Sequence, residues 1–306
     1  MKFRIQKATV LGSGVMGSGI ACHLANIGIE VLMLDIPPKS DNNKSKNRNI
    51  IADEALKKAL TSKPAALYDK SYANKISTGN FEDDFEKIND SDWIIEVVVE
   101  KLEIKKQIFE KVEKHRKKGS LVTSNTSSIP ISLLSEGRSE DFKKHFCGTH
   151  FFNPPRYLKL LEIIPTKESS TEMISFFMEF GFNLLGKQTV LCKDTPAFIA
   201  NRIGVVSGTE LVLLADKYKM GAEETDAITG SLIGRPNTAT FRLQDLVGLD
   251  TSDNVSNFIK NSVKDDSYIE KLKNHKEPKF MRYLLDNKFL GNKTGKGFYQ
   301  KTNTRD

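Results

Sequence analysis

A pattern of three glycines near the start of the chain constrains its fold most strongly. Gly12, Gly14 and Gly17 lie between an apolar run at 7–11 and an apolar-periodic stretch at 20–27. A strand, a glycine turn and a helix in this order form the first part of a βαβ unit. In such a unit the first glycine permits a tight turn, the second lets the backbone approach a pyrophosphate, and the third lets helix and strand pack closely. The pattern therefore predicts a dinucleotide-binding domain, with an ordinary glycine-rich loop as the alternative.

The residues around this pattern indicate which dinucleotide binds. The amides of Val15 and Met16 open the predicted helix, and backbone N–H groups at a helix start bind phosphate. Asp35 ends the next apolar run, at about the 20-residue spacing expected of an acid that binds ribose. Its carboxylate accepts from both ribose hydroxyls and repels a 2′-phosphate, so the sequence favours NAD over NADP.

The rest of the chain separates into two parts with different periodicity. Up to about residue 193, apolar strands alternate with helices, which is typical of a mainly parallel, doubly wound sheet. Beyond Asp194-Thr195-Pro196 helices are predicted at about 196–218, 223–232, 241–247, 252–263 and 278–286, and a strand signal returns only in the short segment 297–299. The sequence therefore predicts a Rossmann-type α/β domain at 1–193. It predicts an all-α domain at 194–306 that closes a substrate cleft and provides contacts for a dimer.

A histidine and a glutamate provide a candidate catalytic pair. His150 and Glu162 lie on two short apolar runs joined by an Asn-Pro-Pro turn, so they face each other if the reversal centres on Arg156. A carboxylate beside an imidazole sets its tautomer and raises its basicity, which produces a general base near neutral pH. A lone histidine at a strand end is more often a structural hydrogen-bond donor. The carboxylate partner and the dinucleotide pattern favour catalysis here.

Two further polar segments lie where a ligand meets the predicted fold. The run from Ser124 to Ser128 follows a predicted parallel strand, and ligands bind at the carboxyl ends of such strands. Asn201 and Arg202 lie one turn inside the first helix of the second domain. Each segment has an ordinary alternative, a plain loop in the first case and a solvated helix face in the second.

The composition restricts the classes of partner. The chain has a net charge of +7, but no basic stripe interleaved with aromatics, so nucleic acid is not expected. An anionic small molecule that carries phosphates fits this charge better. No apolar run approaches the ~20 residues of a membrane span, and the start at Met1 leads directly into a strand without a signal-peptide pattern. Three dispersed cysteines without a Cys-x-x-Cys pair predict free thiols, no metal site and a cytoplasmic location.

Taken together, these residues resemble the 3-hydroxyacyl-CoA dehydrogenase family over nearly the whole chain. Besides the glycine pattern, the resemblance rests on Ser124–Ser128, His150–Pro154, Cys192–Pro196 leading to Asn201-Arg202, Val247–Asp250 and Lys293–Tyr299. The middle segments are specific to this family, whereas the glycine pattern is not.

The resemblance implies a reaction and a role for each site residue. His150 takes the proton of a 3-hydroxyl group while hydride passes from C3 to NAD, and Glu162 orients and stabilises the histidine. Ser127 and Asn201 are implied to hold the reacting oxygen and the histidine. The implied cofactor contacts are Gly12, Gly14, Val15, Met16, Gly17, Asp35, Glu100, Lys105, Ser127, Asn153 and Lys293. The implied reaction is the reversible oxidation of an (S)-3-hydroxyacyl-CoA to a 3-ketoacyl-CoA in fatty-acid metabolism, including β-oxidation.

Two segments depart from the family pattern. Residues 234–241 replace the Pro-Met-Gly-Pro-Phe segment of single-function members. They are more similar to the dehydrogenase part of bacterial fused proteins that also carry an enoyl-CoA hydratase. The expected partners are therefore an acyl-CoA substrate and either a second copy in a homodimer or a fused or associated hydratase. Ala55 stands where a serine near the coenzyme A phosphates is common, so these phosphates are assigned to Lys57, Lys58 or Lys63.

Two other functions stay open at this point. A related dehydrogenase would act on a free hydroxy acid or sugar acid, and activity without coenzyme A would favour it. A dinucleotide-binding module that has lost catalysis is an alternative of another class. The complete set of Ser127, His150, Glu162 and Asn201 argues against that module, since a non-catalytic protein has no need of all four.

Overall fold

The chain forms two compact units. A computed structural model describes residues 3–39, 47–264 and 266–300. Unit 1 is Met1–Phe198 and unit 2 is Ile199–Asp306. Within the described ranges, no helix is both long enough and apolar enough to cross a bilayer.

Unit 1 is built on one eight-stranded sheet. Its strands are β1 (Lys7–Leu11), β2 (Glu30–Asp35), β3 (Ile76–Asn80), β4 (Trp93–Glu96), β5 (Leu121–Ser124), β6 (Phe146–Phe151), β7 (Leu160–Pro165) and β8 (Gln188–Leu191). They lie in the order β3-β2-β1-β4-β5-β6-β7-β8, and all neighbours are parallel except β6 and β7. The first six positions have the Rossmann strand order. The predicted mainly parallel, doubly wound α/β fold is therefore confirmed.

Helices cover both faces of this sheet. They are α1 (Val15–Asn26), α2 (Ile50–Leu60), α3 (Leu102–His115), α4 (Ile131–Leu134), α5 (Glu140–Lys144) and α6 (Thr171–Asn183). The sequence analysis did not predict β3, β8, α6 or the short helices α4 and α5. The strand β3 contains a single apolar residue, and three of the four residues of β8 are exposed, so neither has the pattern of a buried strand. The phenylalanine-rich sequence of α6 fits a buried strand as well as a helix.

Each central strand contributes side chains to two apolar layers. Val10 packs in the cluster that contains Leu24 of α1 and Phe177 of α6. Leu11, the next residue, packs in the cluster that contains Phe109 of α3. Successive residues of a strand point to opposite faces, which explains this division. The carboxyl ends of β1, β4 and β5 therefore meet between the helix layers, where ligands bind in such sheets.

His23 of α1 is a buried histidine that makes unit 1 sensitive to acid. Its side chain is almost fully buried, and Nε2 lies 3.1 Å from the carbonyl oxygen of Leu185. Burial, together with the nearby Lys187 ammonium, lowers the pKa of His23 to about 4. The unfolded histidine titrates near 6.5, so the folded unit binds fewer protons between these two values. Unit 1 therefore loses stability as the pH falls through this window.

We expect His23→Gln to make the stability of unit 1 less dependent on pH. Between about pH 7.5 and about pH 5, the free energy of unfolding should fall by about 2 kcal/mol less in this variant than in the wild type. Urea unfolding followed by the fluorescence of Trp93, the single tryptophan and buried in unit 1, measures the difference. His275→Gln, which changes an exposed histidine of unit 2, is the control. Equal slopes for wild type and His23→Gln would contradict the prediction.

Unit 2 is helical, as the sequence predicts. Its described α-helices are α7 (Ala200–Tyr218), α8 (Ala222–Thr229), α9 (Phe241–Val247), α10 (Leu249–Ser262), α11 (Ser267–Asn274) and α12 (Lys279–Asp286). The short helix α11 was not predicted. The predicted start of the first helix near Pro196 is wrong. Ala197 and Phe198 have φ angles of 61° and 50°, which a right-handed helix excludes, and α7 begins at Ala200.

Two carboxylates hold the last described segment of unit 2 in place. Buried Asp245 accepts hydrogen bonds from the amides of Phe298 and Tyr299, both at 2.9 Å. Asp226 accepts hydrogen bonds from the amide of Phe241 at 2.7 Å and from the Tyr299 hydroxyl at 2.8 Å. The rings of Phe241 and Phe298 lie 4.3 Å apart. This segment therefore closes the core of unit 2.

Candidate active site

The glycine pattern occupies the turn from β1 into α1, and each glycine meets a different requirement. Gly12 has a φ of 104°, and a Cβ there would lie 2.6 Å from the carbonyl oxygen of Val97. A Cβ on Gly17 would lie 1.8 Å from the carbonyl oxygen of Gly12, so only glycine permits this contact. A Cβ on Gly14 would meet nothing within 4 Å, so the backbone is accessible to a ligand there.

The first turn of α1 presents backbone donors beside this accessible backbone. Val15 and Met16 are the first two residues of the helix. The residue before them, Gly14, has no side chain that could cap their amides. The first N–H groups of a helix have no partner within the helix. These amides are therefore suited to bind a phosphate group.

Asp35 ends β2 beside the glycine turn. Its Oδ2 accepts hydrogen bonds from the amide and the hydroxyl of Ser13, both at 2.6 Å. Its Oδ1 accepts a hydrogen bond from the amide of Ile36 at 2.7 Å. Asp35 thus stabilises the turn through these hydrogen bonds. A carboxylate has about four lone-pair sites, so it can also accept from a hydroxyl group.

His150 and Glu162 form a buried pair across the β6–β7 hairpin. The two residues are directly opposed in the antiparallel register, and His150 Nδ1 lies 2.7 Å from Glu162 Oε2. Their side chains are 7% and 1% exposed. The predicted pairing across the turn is therefore confirmed. An ionised carboxylate only accepts hydrogen bonds, so Nδ1 carries the proton and Nε2 has the free lone pair of a base.

A buried cysteine and an aromatic ring surround this pair. The Cys192 thiol, just after β8, interacts with the Glu162 carboxylate, and its Sγ lies 3.6 Å from the carbonyl oxygen of Val190. Burial and the Glu162 carboxylate raise the pKa of this thiol to about 12, so it stays protonated. The Phe152 ring centroid lies 4.4 Å from that of His150. Both contacts restrict the orientation of the pair.

A second buried carboxylate, Glu96, lies at the end of β4. Its Oε1 accepts hydrogen bonds from the Lys105 ammonium at 2.6 Å and from the Val98 amide at 2.7 Å. Its Oε2 accepts one from the Ser124 hydroxyl at 2.5 Å. Burial raises the pKa of Glu96, although Lys105 and Ser124 oppose this shift. The sequence analysis missed Glu96, yet it is the one charged residue in the apolar run 93–99.

Glu100 holds the backbone of the serine-rich loop. Its Oε1 accepts hydrogen bonds from the amides of Ser127 and Ser128, both at 3.1 Å, and from the Thr126 hydroxyl at 2.5 Å. Its Oε2 lies 3.2 Å from the Lys105 ammonium. Burial opposes ionisation of Glu100, but Lys105 and the hydroxyl donors outweigh it and lower the pKa of this carboxyl. Lys105 therefore connects Glu96 to the loop that presents Ser127.

This loop also contacts the strand that carries the histidine. The side-chain oxygen of Asn125 accepts a hydrogen bond from the amide of Phe151 at 2.8 Å. Phe151 directly follows His150, and β5 pairs with β6 through Ser124 and Gly148. Unit 1 therefore places Ser127 and the His150–Glu162 pair at neighbouring strand ends. The sequence analysis treated Asn125 and Thr126 only as parts of a loop, because their partners are remote in sequence.

The other predicted residues of unit 1 are exposed. Asn153 lies in the turn between β6 and β7. Lys57 and Lys58 lie in the last turn of α2, and Lys63 follows it. All three lysines are thus available to an anionic ligand.

Asn201 and Lys293 belong to unit 2. Asn201 is half-buried in the first turn of α7 and lines a cavity of about 580 Å³ within this unit. The neighbouring Arg202 forms an ion pair with Asp266 at 2.6 Å. The Lys293 ammonium forms an ion pair with Asp250.

The fold and this geometry define a class of protein. A Rossmann sheet with a glycine turn, an acid at the end of β2 and a buried His–Glu pair is typical of dinucleotide-dependent dehydrogenases. Residues 7–195 match the family model "3-hydroxyacyl-CoA dehydrogenase, NAD binding domain". Residues 198–301 match the model of the C-terminal domain of the same family. The chain therefore belongs to the 3-hydroxyacyl-CoA dehydrogenase family, and its first unit contains the family's NAD-binding domain.

Individual relatives support this assignment. A "Probable 3-hydroxyacyl-CoA dehydrogenase" of Bacillus subtilis is 51% identical over 98% of this chain, and the chain spans 39% of the length of that protein. A protein of the same name from Deinococcus radiodurans is 44% identical over 98% of this chain, and the chain spans 84% of the length of that protein. The crystal structure of (S)-3-hydroxybutyryl-CoA dehydrogenase PaaH1 from Ralstonia eutropha matches with a TM-score of 0.76 and 26% identity. This match covers 98% of the chain and 100% of that structure.

Proposed function

We propose that this chain catalyses the reversible, NAD-dependent oxidation of (S)-3-hydroxyacyl-CoA to 3-ketoacyl-CoA in fatty-acid metabolism. The observation that carries the proposal is the 2.7 Å contact between His150 Nδ1 and Glu162 Oε2 in a unit that matches an NAD-binding domain. A base with a fixed tautomer beside a hydride acceptor is what the oxidation of a secondary alcohol requires.

The residues of the glycine turn fit NAD. The accessible backbone at Gly14 and the amides of Val15 and Met16 suit the pyrophosphate, and Asp35 suits the ribose hydroxyls. Bound NAD supplies the acceptor for the hydride that leaves C3 of the substrate.

His150 performs the proton transfer in this proposal. Its Nε2 takes the proton of the 3-hydroxyl group, and the adjacent Glu162 carboxylate stabilises the resulting imidazolium. The low exposure of both side chains excludes water from the pair and strengthens their interaction. Ser127 and Asn201 hold the reacting oxygen and the histidine. Support for Ser127 comes from its backbone contact with Glu100, and support for Asn201 comes from the family resemblance.

The remaining predicted contacts are assigned to the two ligands. Glu100 and Lys105 position the serine-rich loop at the cofactor, and Asn153 and Lys293 complete the cofactor contacts. Lys57, Lys58 and Lys63 bind the phosphates of coenzyme A. The exposure of these three lysines and the net charge of +7 support this last assignment.

NADH consumption tests the proposed reaction. Activity is measured with acetoacetyl-CoA and with a long-chain 3-ketoacyl-CoA, and free acetoacetate serves as the control without coenzyme A. We expect turnover with at least one thioester and none with acetoacetate. Turnover with acetoacetate alone would indicate a dehydrogenase of free hydroxy acids. NADH binding without turnover of any substrate would indicate a non-catalytic dinucleotide-binding module.

We expect Asp35→Ser to reduce the preference for NADH over NADPH by about tenfold or more, because the variant removes the charge that repels a 2′-phosphate. The measurement is the ratio of kcat/KM for the two cofactors. Ser13→Ala is the matched control, since it loosens the same turn without a change of charge. Ser13→Ala should lower kcat/KM for NADH and for NADPH by the same factor. An unchanged ratio in Asp35→Ser would remove Asp35 from ribose recognition.

We also propose that the predicted helical domain at 194–306, whose residues 199–306 form unit 2, provides a homodimer interface. Support comes from large apolar side chains that are exposed in this unit, among them Ile228, Leu232 and Ile233. A second arrangement, in which the chain works with a fused or associated enoyl-CoA hydratase, is supported by the resemblance of residues 234–241 to fused proteins and by a Rickettsia felis relative named "Putative fatty acid oxidation complex trifunctional enzyme". Sedimentation equilibrium distinguishes a dimer from a monomer.

The three buried free thiols suit a reducing compartment such as the cytoplasm.

A further inference from the structure

Lys187 is a buried lysine to which the proposed mechanism gives no role. It lies directly before β8 and is 2% exposed. Its ammonium donates hydrogen bonds to the carbonyl oxygens of Pro155 and Leu158, the second at 2.7 Å. No carboxylate of the described residues forms an ion pair with it, and burial alone lowers the pKa of Lys187 to about 8. An apolar side chain of similar length would fill this space without the cost of burying a charge, so the contribution of the lysine lies in its donors.

The carbonyl groups that Lys187 binds belong to the turn between β6 and β7, here called the hairpin turn (residues 152–159). Pro155 also packs against α1, where a Cβ on Gly19 would lie 2.9 Å from its Cδ. Arg156 donates hydrogen bonds to the carbonyl oxygens of Ala65 and Leu67 at 2.7 and 2.9 Å. The hairpin turn is therefore held from three sides, and Lys187 provides the contact from the segment that leads into β8.

The hairpin turn determines the geometry of the catalytic pair. It joins the strand of His150 to the strand of Glu162, and a shift of one residue in register would turn one of these side chains to the other face. It also carries Phe152, whose ring contacts that of His150. Next to Lys187, the Gln188 amide donates to the carbonyl oxygen of Lys159 at 2.7 Å. Lys187 thus lies where β8 and the end of the hairpin turn meet.

We propose that Lys187 is a positioning residue, whose ammonium locks the hairpin turn and thereby holds His150 against Glu162 in the productive geometry. The proposal rests on the proposed dehydrogenase function for its effect on turnover. It does not rest on that function for its effect on the turn itself.

Two measurements on Lys187→Met test this proposal, with Lys159→Met as the matched control because Lys159 is an exposed lysine of the same turn. In Lys187→Met we expect kcat with acetoacetyl-CoA at saturating NADH to fall by about tenfold or more, with KM within about twofold of the wild-type value. We expect the amides of Tyr157 and Leu158, which donate to the Pro154 carbonyl oxygen at 3.0 Å, to exchange with deuterium about tenfold faster. The amide of Val122 in β5 should keep its wild-type protection. Lys159→Met should change neither quantity.

Three outcomes would overturn the proposal. The first is unchanged exchange at Tyr157 and Leu158 in Lys187→Met, since the ammonium would then not lock the turn. The second is faster exchange throughout unit 1, including Val122, which indicates general structural support. The third is a wild-type kcat despite a loosened turn. A wild-type protein without turnover of any 3-ketoacyl-CoA contradicts the proposed function instead, and the exchange measurement still decides whether Lys187 holds the turn.

Discussion

Replacing His150 with Gln should lower the turnover of acetoacetyl-CoA by about 100-fold or more, while the affinity for NADH stays close to the wild-type value. The Nε2 atom is the base in the proposed reaction, and a glutamine amide has no basic nitrogen. Glutamine has a similar size and can still hydrogen-bond to Glu162, so the buried carboxylate keeps a partner. Steady-state NADH consumption gives kcat, and the quenching of Trp93 fluorescence or isothermal titration gives the affinity.

The control for this variant is His115→Gln, at the end of α3, where the ring packs against Phe85. It should retain wild-type turnover. Undiminished turnover in His150→Gln would exclude His150 from the mechanism. A parallel loss of NADH affinity would instead indicate that the substitution disturbs the whole site.

Gly17→Ala should destabilise the fold and Gly14→Ala should not, although the two glycines belong to one pattern. A Cβ on Gly17 would lie 1.8 Å from the carbonyl oxygen of Gly12, so the β1–α1 turn must shift. We expect Gly17→Ala to destabilise unit 1 by about 3 kcal/mol and to weaken NADH binding by about 100-fold. A Cβ on Gly14 meets nothing within 4 Å, so Gly14→Ala should leave the stability unchanged within about 1 kcal/mol.

NADH binding distinguishes the roles of these two glycines. If the backbone at Gly14 approaches the pyrophosphate, Gly14→Ala should weaken NADH binding by about tenfold in a stable protein. Urea unfolding monitored by Trp93 measures stability, and titration measures affinity. Equal stability of the two variants would contradict the packing role of Gly17. Wild-type affinity in Gly14→Ala would contradict the approach of the phosphate to this residue.

Local sequence patterns were sufficient to predict several elements of each unit. The run at 7–11 is a strand with the predicted bounds, the next apolar run is a strand that ends at Asp35 as predicted, and 241–247 is a helix with the predicted bounds. The pairing of His150 with Glu162 was predictable for the same reason. The two residues lie on adjacent runs with a turn between them, so hairpin geometry alone places them opposite each other.

The network behind the serine-rich loop was only partly predictable. The family resemblance indicated Glu100 and Lys105, but not that Lys105 connects Glu100 to a fully buried Glu96. A glutamate within an apolar run is a signal of a buried carboxylate. Its partners come from α3 and β5, which the run itself does not reveal. The edge strand β8 was missed because its exposed residues have no buried pattern.

The sequence by itself determined the class of fold, the position of the dinucleotide turn and the candidate catalytic pair. Each of these depends on residues close together in the chain, whose spacing sets their geometry. Only the tertiary structure decided that α7 starts at Ala200, that Glu96 is buried with Lys105, and that Lys187 holds the hairpin turn. A charged side chain is buried only where remote segments supply its hydrogen-bond partners, and the assembled sheet brings those segments together.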